Sequence, residues 1–137
     1  RIELSENGLD CRIVPASDPV GEGTYNAVEF TPALIKDGEK IEDSFWTGEQ
    51  PRACFGTSTQ GIYMLVIEGR YPDEGIRGTS VNTCSDILLA YGCRNALNMD
   101  GGSSAILWYD GEYVTQSSSS FLRYTGGRPL PNAWVYG

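Results

Sequence analysis

Apolar positions along this chain come in short runs broken by glycine, proline and acidic turns, a pattern that predicts strands far more often than helices. Up to about Gly23 the apolar pieces are brief and interrupted by Pro15 and Pro19, and they read as one strand followed by a loop. Residues 33–41 hold Asp37-Gly38 between extended pieces, the signature of a tight hairpin. Residues 42–50 are polar and read as a connection. The run Ile62–Ile67 is continuously apolar and β-rich, which predicts a strand buried on both faces that ends at Glu68-Gly69-Arg70. Thr79 or Ser80 can then cap a helix with Val81, Cys84, Leu88 and Tyr91 on one side, and Gly92 stops it. A short strand, Asn95–Asn98, leads into an Asp100-Gly101-Gly102 turn, and residues 105–109 resume as a strand. Asp110-Gly111 predicts a second hairpin into residues 112–115. Residues 117–120 read as a surface loop and 132–136 as a closing strand. With no internal repeat and one clear helix among strands, the expected fold is α+β: a strand-rich single domain over residues 1–137, its mixed or antiparallel sheet covered by one or two helices.

Charge and composition narrow the chemistry. A net charge of -8 makes sequence-independent binding to a nucleic acid polymer unfavourable, because the average surface repels phosphate. A local anion site would need arginines gathered in one cleft, and Arg52, Arg70, Arg77 and Arg128 are the candidates. The chain has no histidine, which removes the Ser-His-Asp triad, the Cys-His pair and imidazole metal ligands. Carboxylates are left to carry any acid-base work. Cys11, Cys54, Cys84 and Cys93 contain no Cys-x-x-Cys pair, so buried free thiols are expected, with a Cys84–Cys93 bridge as the alternative. No apolar run approaches the roughly 20 residues of a membrane span, and no signal peptide is visible. Beginning at Arg1 rather than Met, the chain reads as a trimmed or processed piece, which leaves its localisation undetermined.

Two segments could carry chemistry. In residues 98–104, two successive glycines after a strand let consecutive N–H groups approach a ligand and form an anion-holding concavity. Ser103 and Ser104 add hydroxyls, and Asp100 would face the bound group as a carboxylate. The same residues also fit a plain turn in which Asp100 bonds its own backbone. In Glu68-Gly69-Arg70, a carboxylate and a guanidinium stand at a strand exit, and arginine suits two-pronged recognition of phosphate. A surface ion pair beside a turn glycine is the alternative there.

Taken together and in order, these segments resemble the phosphodiester glycosidase family, the group that includes the enzymes uncovering mannose 6-phosphate. The matching pieces are Pro32-Ala33-Leu34-Ile35 with Gly38, Arg52 with Gly56, and Glu68-Gly69-Arg70. They continue with the helix from about Val81, the stretch from Ala96 through Asn98 to Asp100-Gly101-Gly102-Ser103-Ser104, and Arg128-Pro129-Leu130-Pro131-Asn132-Ala133. The chain departs from the family pattern in having Glu68 where the strand usually ends in aspartate, a glycine run one residue shorter than in many relatives, and a short N-terminal part.

The resemblance implies hydrolysis of a sugar-1-phosphodiester at the anomeric carbon, giving free sugar and a phosphomonoester. On that reading Asp100 is the base or nucleophile, Asn98 orients it or holds a sugar hydroxyl, and Glu68 is the second carboxylate facing one pocket. Arg70, Arg52 and Arg128, the Gly101 and Gly102 amides, Ser103 and Ser104 would hold the phosphate. No cofactor is implied. Rival readings are a non-catalytic module binding a sugar phosphate or nucleotide, and a phosphodiesterase in which Asp100, Glu68 and Asp73 hold Mg²⁺ or Ca²⁺. The expected partner is thus a glycosyl phosphodiester or sugar phosphate; a homo-oligomer, or a place in a phage or envelope assembly, is compatible with the sequence. An extracellular, envelope or lumenal setting is what the family would suggest. Of the tryptophans, Trp46 in a polar loop is the expected binding aromatic, while Trp108 and Trp134 are expected wholly or partly in the core.

Overall fold

In a computed structural model that describes residues 1–42, 46–119 and 128–136, the short apolar runs pair into antiparallel sheets. Strands β1 (Ile2–Leu4), β2 (Cys11–Ile13) and β3 (Asn26–Val28) form a small sheet in the order β2-β1-β3. The reading of this region as one strand and a loop is therefore corrected. Each strand has only three residues, too few for alternation to show in the sequence.

The main sheet is built from β4 (Ala33–Lys36), β5 (Glu39–Lys40), β6 (Arg52–Thr57), β7 (Ile62–Ile67) and, after helix α1 (Val81–Ala90), β8 (Asn95–Asn98). Its order is β5-β4-β8-β6-β7, with every pairing antiparallel. A separate hairpin joins β9 (Trp108–Tyr109) to β10 (Glu112–Tyr113). Antiparallel sheets with one α-helix among the described residues make this an α+β fold, as the sequence pattern implied.

Side chains alternate across the main sheet and so divide the interior into two cores. Cys54 of β6 and Ala96 of β8 face α1, where they join Leu34, Val81, Cys84 and Leu88. Their neighbours Phe55 and Leu97 face the opposite way and pack with Ile2, Leu4 and Ile13 of the small sheet. The main sheet is thus a middle layer between the helix and the small sheet.

Both hairpin turns form as read. Asp37 and Gly38 take φ of 53° and 90°, and Asp110 and Gly111 take 48° and 87°, the paired positive values that match the twist of a two-residue turn. Ser80 caps α1 by accepting the Thr83 N–H at 3.2 Å. Gly92 leaves the helix at φ 79°. Val81, Cys84 and Leu88 are buried, whereas Tyr91 is exposed, because it is the helix's capping residue and lies over Tyr63 with ring centres 5.7 Å apart.

Other expectations need correction. β7 is not buried on both faces: it is the outermost strand, paired only to β6, and all six residues are half-buried. Its unbroken apolarity reflects contact with both cores, Tyr63, Leu65 and Ile67 with one and Ile62 and Met64 with the other. Residues 105–109 are not one strand; a 3₁₀ turn at Gly102–Ser104 delays pairing until Trp108. Trp108 is 60% exposed rather than in the core, since its hairpin pairs with no other strand. Trp134 does enter, stacking on Phe55 with ring centres 4.2 Å apart. Residues 132–136 form no strand; Pro129 and Pro131 just ahead lack the N–H a ladder needs. Ser120 and residues 43–45 of the polar connection lie outside the described residues. All four cysteines are free thiols, and burial pushes Cys11 and Cys93 up to about 11. Among the described residues no helix is long and apolar enough to cross a membrane.

Glu3, only 2% exposed in the middle of β1, is the charged group on which the small sheet closes. Its carboxylate accepts from Arg1 Nε at 2.8 Å, Arg12 Nη2 at 2.8 Å, Thr24 Oγ1 at 3.0 Å and the Gly21 N–H at 3.3 Å. Burial works to raise its pKa, but these donors outweigh that effect and hold it at about 2, below the ordinary 4.5. The site therefore supports the fold fully above about pH 4.5 and progressively less as pH falls toward 2. Chemical denaturation followed across that range should show declining stability, with Glu3→Gln less stable near neutrality and flatter in its acid response.

Candidate active site

The chain leaving β8 does not turn away from β6 but continues beside it. Met99 N–H bonds to the Ala53 carbonyl at 2.8 Å and Gly102 N–H to the Pro51 carbonyl at 3.0 Å. Gly101 is required by this close approach and Gly102 by its backbone conformation. A β-carbon on Gly101 would sit 2.6 Å from the Pro51 oxygen, and one on Gly102, at φ 58°, would lie 3.0 Å from Arg70 Nη1.

Arg70 reaches the same place from the end of β7. It takes the left-handed φ of 68°, which costs a non-glycine residue roughly 1–2 kcal/mol. Arg70 N–H bonds to the Arg77 carbonyl at 3.3 Å, and Arg70 Nε donates to Gln50 Oε1 at 2.8 Å. Gly69 permits the turn, since a β-carbon there would lie 2.8 Å from the Arg77 carbonyl oxygen.

These elements enclose a cavity of about 470 Å³. Asn98, Asp100, Gly101, Gly102, Ser103 and Ser104 line it, together with Arg52, Arg70 and Arg128. Phe30, Trp46, Gln50 and Met99 complete the wall. The volume falls within the usual range for small-ligand sites. Arg128 Nη2 donates to Asp100 Oδ2 at 2.9 Å and to Ser104 Oγ at 2.6 Å. Arg52 is buried; its Nε and Nη2 donate to the carbonyls of Thr79 and Gly48 at 2.9 and 2.7 Å. With no ion pair among the described residues, Arg52 contributes a fixed positive charge behind the cavity.

Two sequence expectations change here. Glu68 does not line the cavity; its Oε1 accepts the Gln116 N–H at 2.6 Å and ties down the chain after β10. The left-handed turn at Arg70 breaks the period-two relation that would have put Glu68 and Arg70 on one face, and only the arginine faces inward. Asn98 lines the cavity but has its side chain engaged by protein: Nδ2 donates to the Thr31 carbonyl at 2.8 Å and Oδ1 faces Cys54 Sγ at 3.9 Å. It fixes the segment carrying Phe30. Trp46 is at the cavity, as its polar surroundings suggested. Phe30, Gln50 and Met99 were not singled out, and no motif marks them; they arrive through the pairing of β4, β6 and β8.

Among the described residues no three acidic or cysteine side chains gather so as to hold a metal ion. Asp100, Glu68 and Asp73 thus do not form the oxygen-ligand set considered above. A second cavity, about 260 Å³, opens at Glu3, Arg12 and Thr24, whose polar groups already satisfy one another.

A family model described as phosphodiester glycosidase matches residues 3–136, nearly the whole chain. The chain belongs to the phosphodiester glycosidase family. Within reach of this family, it is 25% identical over 118 residues to the SPbeta prophage-derived uncharacterized protein YomE of Bacillus subtilis strain 168, covering 82% of this chain and 18% of that protein. A hypothetical protein from Synechocystis has a similar structure, with a TM-score of 0.53 at 28% identity over 64% of this chain and 18% of the other. The zebrafish N-acetylglucosamine-1-phosphodiester alpha-N-acetylglucosaminidase catalytic domain, auto-inhibited by its pro-peptide, gives a TM-score of 0.54 at 20% identity. That match covers 63% of this chain and 33% of the zebrafish chain, and at this identity it shows the shared fold. The chain therefore spans between 18% and 33% of the length of these relatives.

A β-carbon at Gly101 would overlap the Pro51 backbone carbonyl, and no rotamer change relieves that. Gly101→Ala should lower unfolding free energy by roughly 1–3 kcal/mol, the range for a forced overlap. Gly61→Ala, with no atom within 4 Å of its added methyl, is the control and should stay within about 0.5 kcal/mol in urea denaturation.

Proposed function

We propose that this chain hydrolyses a glycosyl phosphodiester at the anomeric carbon, releasing free sugar and a phosphomonoester. The observation that carries this reading is the meeting, in one cavity, of Asp100, the one carboxylate lining it among the described residues, with Arg70, Arg128 and the Gly101-Gly102 turn. Asp100 takes a proton from water as the water oxygen attacks the anomeric carbon. The bond to the bridging oxygen breaks and its electron pair leaves with the phosphate. Arg70, Arg128 and the turn stabilise the charge that collects there.

The position of Glu68 fits this scheme better than a two-carboxylate one. Ordinary glycosides need a second carboxyl group to protonate a poor leaving group. A phosphomonoester is a good leaving group, so cations can take the place of the acid. Asn98 then acts as a positioning residue, and Arg52 supplies background potential.

Product analysis on a panel of glycosyl phosphodiesters tests the reading. Wild type should release free sugar, Asp100→Asn should lose roughly 10²–10⁴-fold in kcat as for a deleted general base, and Arg70→Ala roughly 10²–10³-fold. Release that stops on adding a chelator would point instead to metal-assisted chemistry. Absence of turnover across the panel, with sugar-phosphate binding retained, would leave a binding module.

A further inference from the structure

The two arginines at the mouth of the cavity are held in different ways. Arg70 is steadied at Nε by a neutral amide, Gln50, and its Nη atoms, which make no hydrogen bond among the described residues, lie over Gly102. Arg128 is held by the same carboxylate that the reaction requires: its Nη2 bridges Asp100 Oδ2 at 2.9 Å and Ser104 Oγ at 2.6 Å. The Asp100 and Arg128 side chains are 56% and 47% exposed. Exposed pairs of this kind contribute only about 0–1 kcal/mol, so an entering anion can displace one partner at small cost.

We propose that Arg128 is a specificity-determining residue, which selects glycosyl phosphodiesters over neutral glycosides by exchanging Asp100 for an oxygen of the substrate phosphate. The proposal rests on the hydrolytic reading above. Without substrate, Asp100 Oδ2 accepts from the Arg128 guanidinium, so that one of the two carboxylate oxygens is withheld from water. A phosphodiester entering over Gly102 first meets Arg70, and its anionic oxygen then draws Arg128 Nη2 away from Asp100. The guanidinium keeps its charge throughout; no proton moves in this exchange. Asp100 is released toward water at the moment when phosphate is in place. A neutral glycoside brings no anion, leaves the pair closed, and reacts slowly even when its sugar fits.

Binding of inorganic phosphate, measured by calorimetry at low salt, tests the exchange without requiring turnover. Asp100→Asn should bind phosphate roughly three- to fivefold more tightly than wild type, the scale of an exposed ion pair. In an Arg128→Ala background the same substitution should give no gain. A gain that persists there means that Asp100 merely repels the anion, and overturns the proposal; so does the absence of any gain in the single variant. Because this cycle measures binding, its failure is separate from a failure of the hydrolytic reading. Turnover supplies a second measure: Arg128→Ala should lose activity on a glycosyl phosphodiester while hydrolysing the corresponding neutral aryl glycoside several-fold faster than wild type. Neutral-glycoside activity that is unchanged or lower overturns the exchange.

Discussion

The arrangement depends first on the burial of β8 between β4 and β6. All four of its residues are buried, and both edges are hydrogen-bonded, which leaves the strand one register. Its two apolar residues point to opposite cores, Ala96 toward α1 and Leu97 toward the small sheet. Its two asparagines tie it to neighbouring segments: Asn95 Nδ2 donates to the Cys11 carbonyl of β2 at 2.9 Å and Asn98 Nδ2 to the Thr31 carbonyl at 2.8 Å. A buried amide without such partners would cost about 1–3 kcal/mol. Sliding β8 by one residue would orphan both amides and turn Leu97 out of the small-sheet core into the place of Ala96 against α1. The register that satisfies packing is therefore the one that delivers Asp100 beside the start of β6, and the bonds from Met99 and Gly102 to that strand extend the alignment into the cavity.

What could be read from the sequence was what local chemistry dictates. Asp-Gly turns, the Ser80 cap, the glycine after α1 and the glycine pair after β8 each announce a backbone conformation that few other residues adopt, and each appears where expected. The unread part required partners distant in the chain. The three-residue strands of the small sheet exist because Ile2, Leu4 and Ile13 cover Phe55 and Leu97, a fact no window of their own sequence contains. Trp108 was misplaced because apolarity alone does not tell a core strand from a hairpin standing outside the sheet. Glu68 was misplaced for a finer reason: one left-handed φ at Arg70 decided which of two neighbouring charges faces inward.

The electrostatics of the site run against those of the chain. A net charge of -8 raises the work of bringing an anionic ligand to the surface, yet among the described residues the cavity is lined by three guanidinium groups against one carboxylate. At physiological salt, charges more than about 8 Å away are largely screened, so the acidic surface matters at a distance and the arginines matter on contact. Burial separates their roles further. Arg52, enclosed and bonded to carbonyls, cannot follow a ligand, while Arg128 is half-exposed and can.

That difference bears on how the proposed reaction would be selective. If all three arginines were fixed like Arg52, an empty cavity would hold Asp100 in the same state whatever entered, and selectivity would rest on shape alone. On the proposed reaction, a guanidinium shared between Asp100 and a ligand oxygen would couple the two events, with Asp100 Oδ2 freed for water when an anion takes its place. The exposed pair is well suited to this, because a buried one would resist exchange by several kcal/mol. Weak pairing at the mouth and firm pairing in the sheet are then two parts of one arrangement, the second holding Asp100 in place while the first leaves its partner free to exchange.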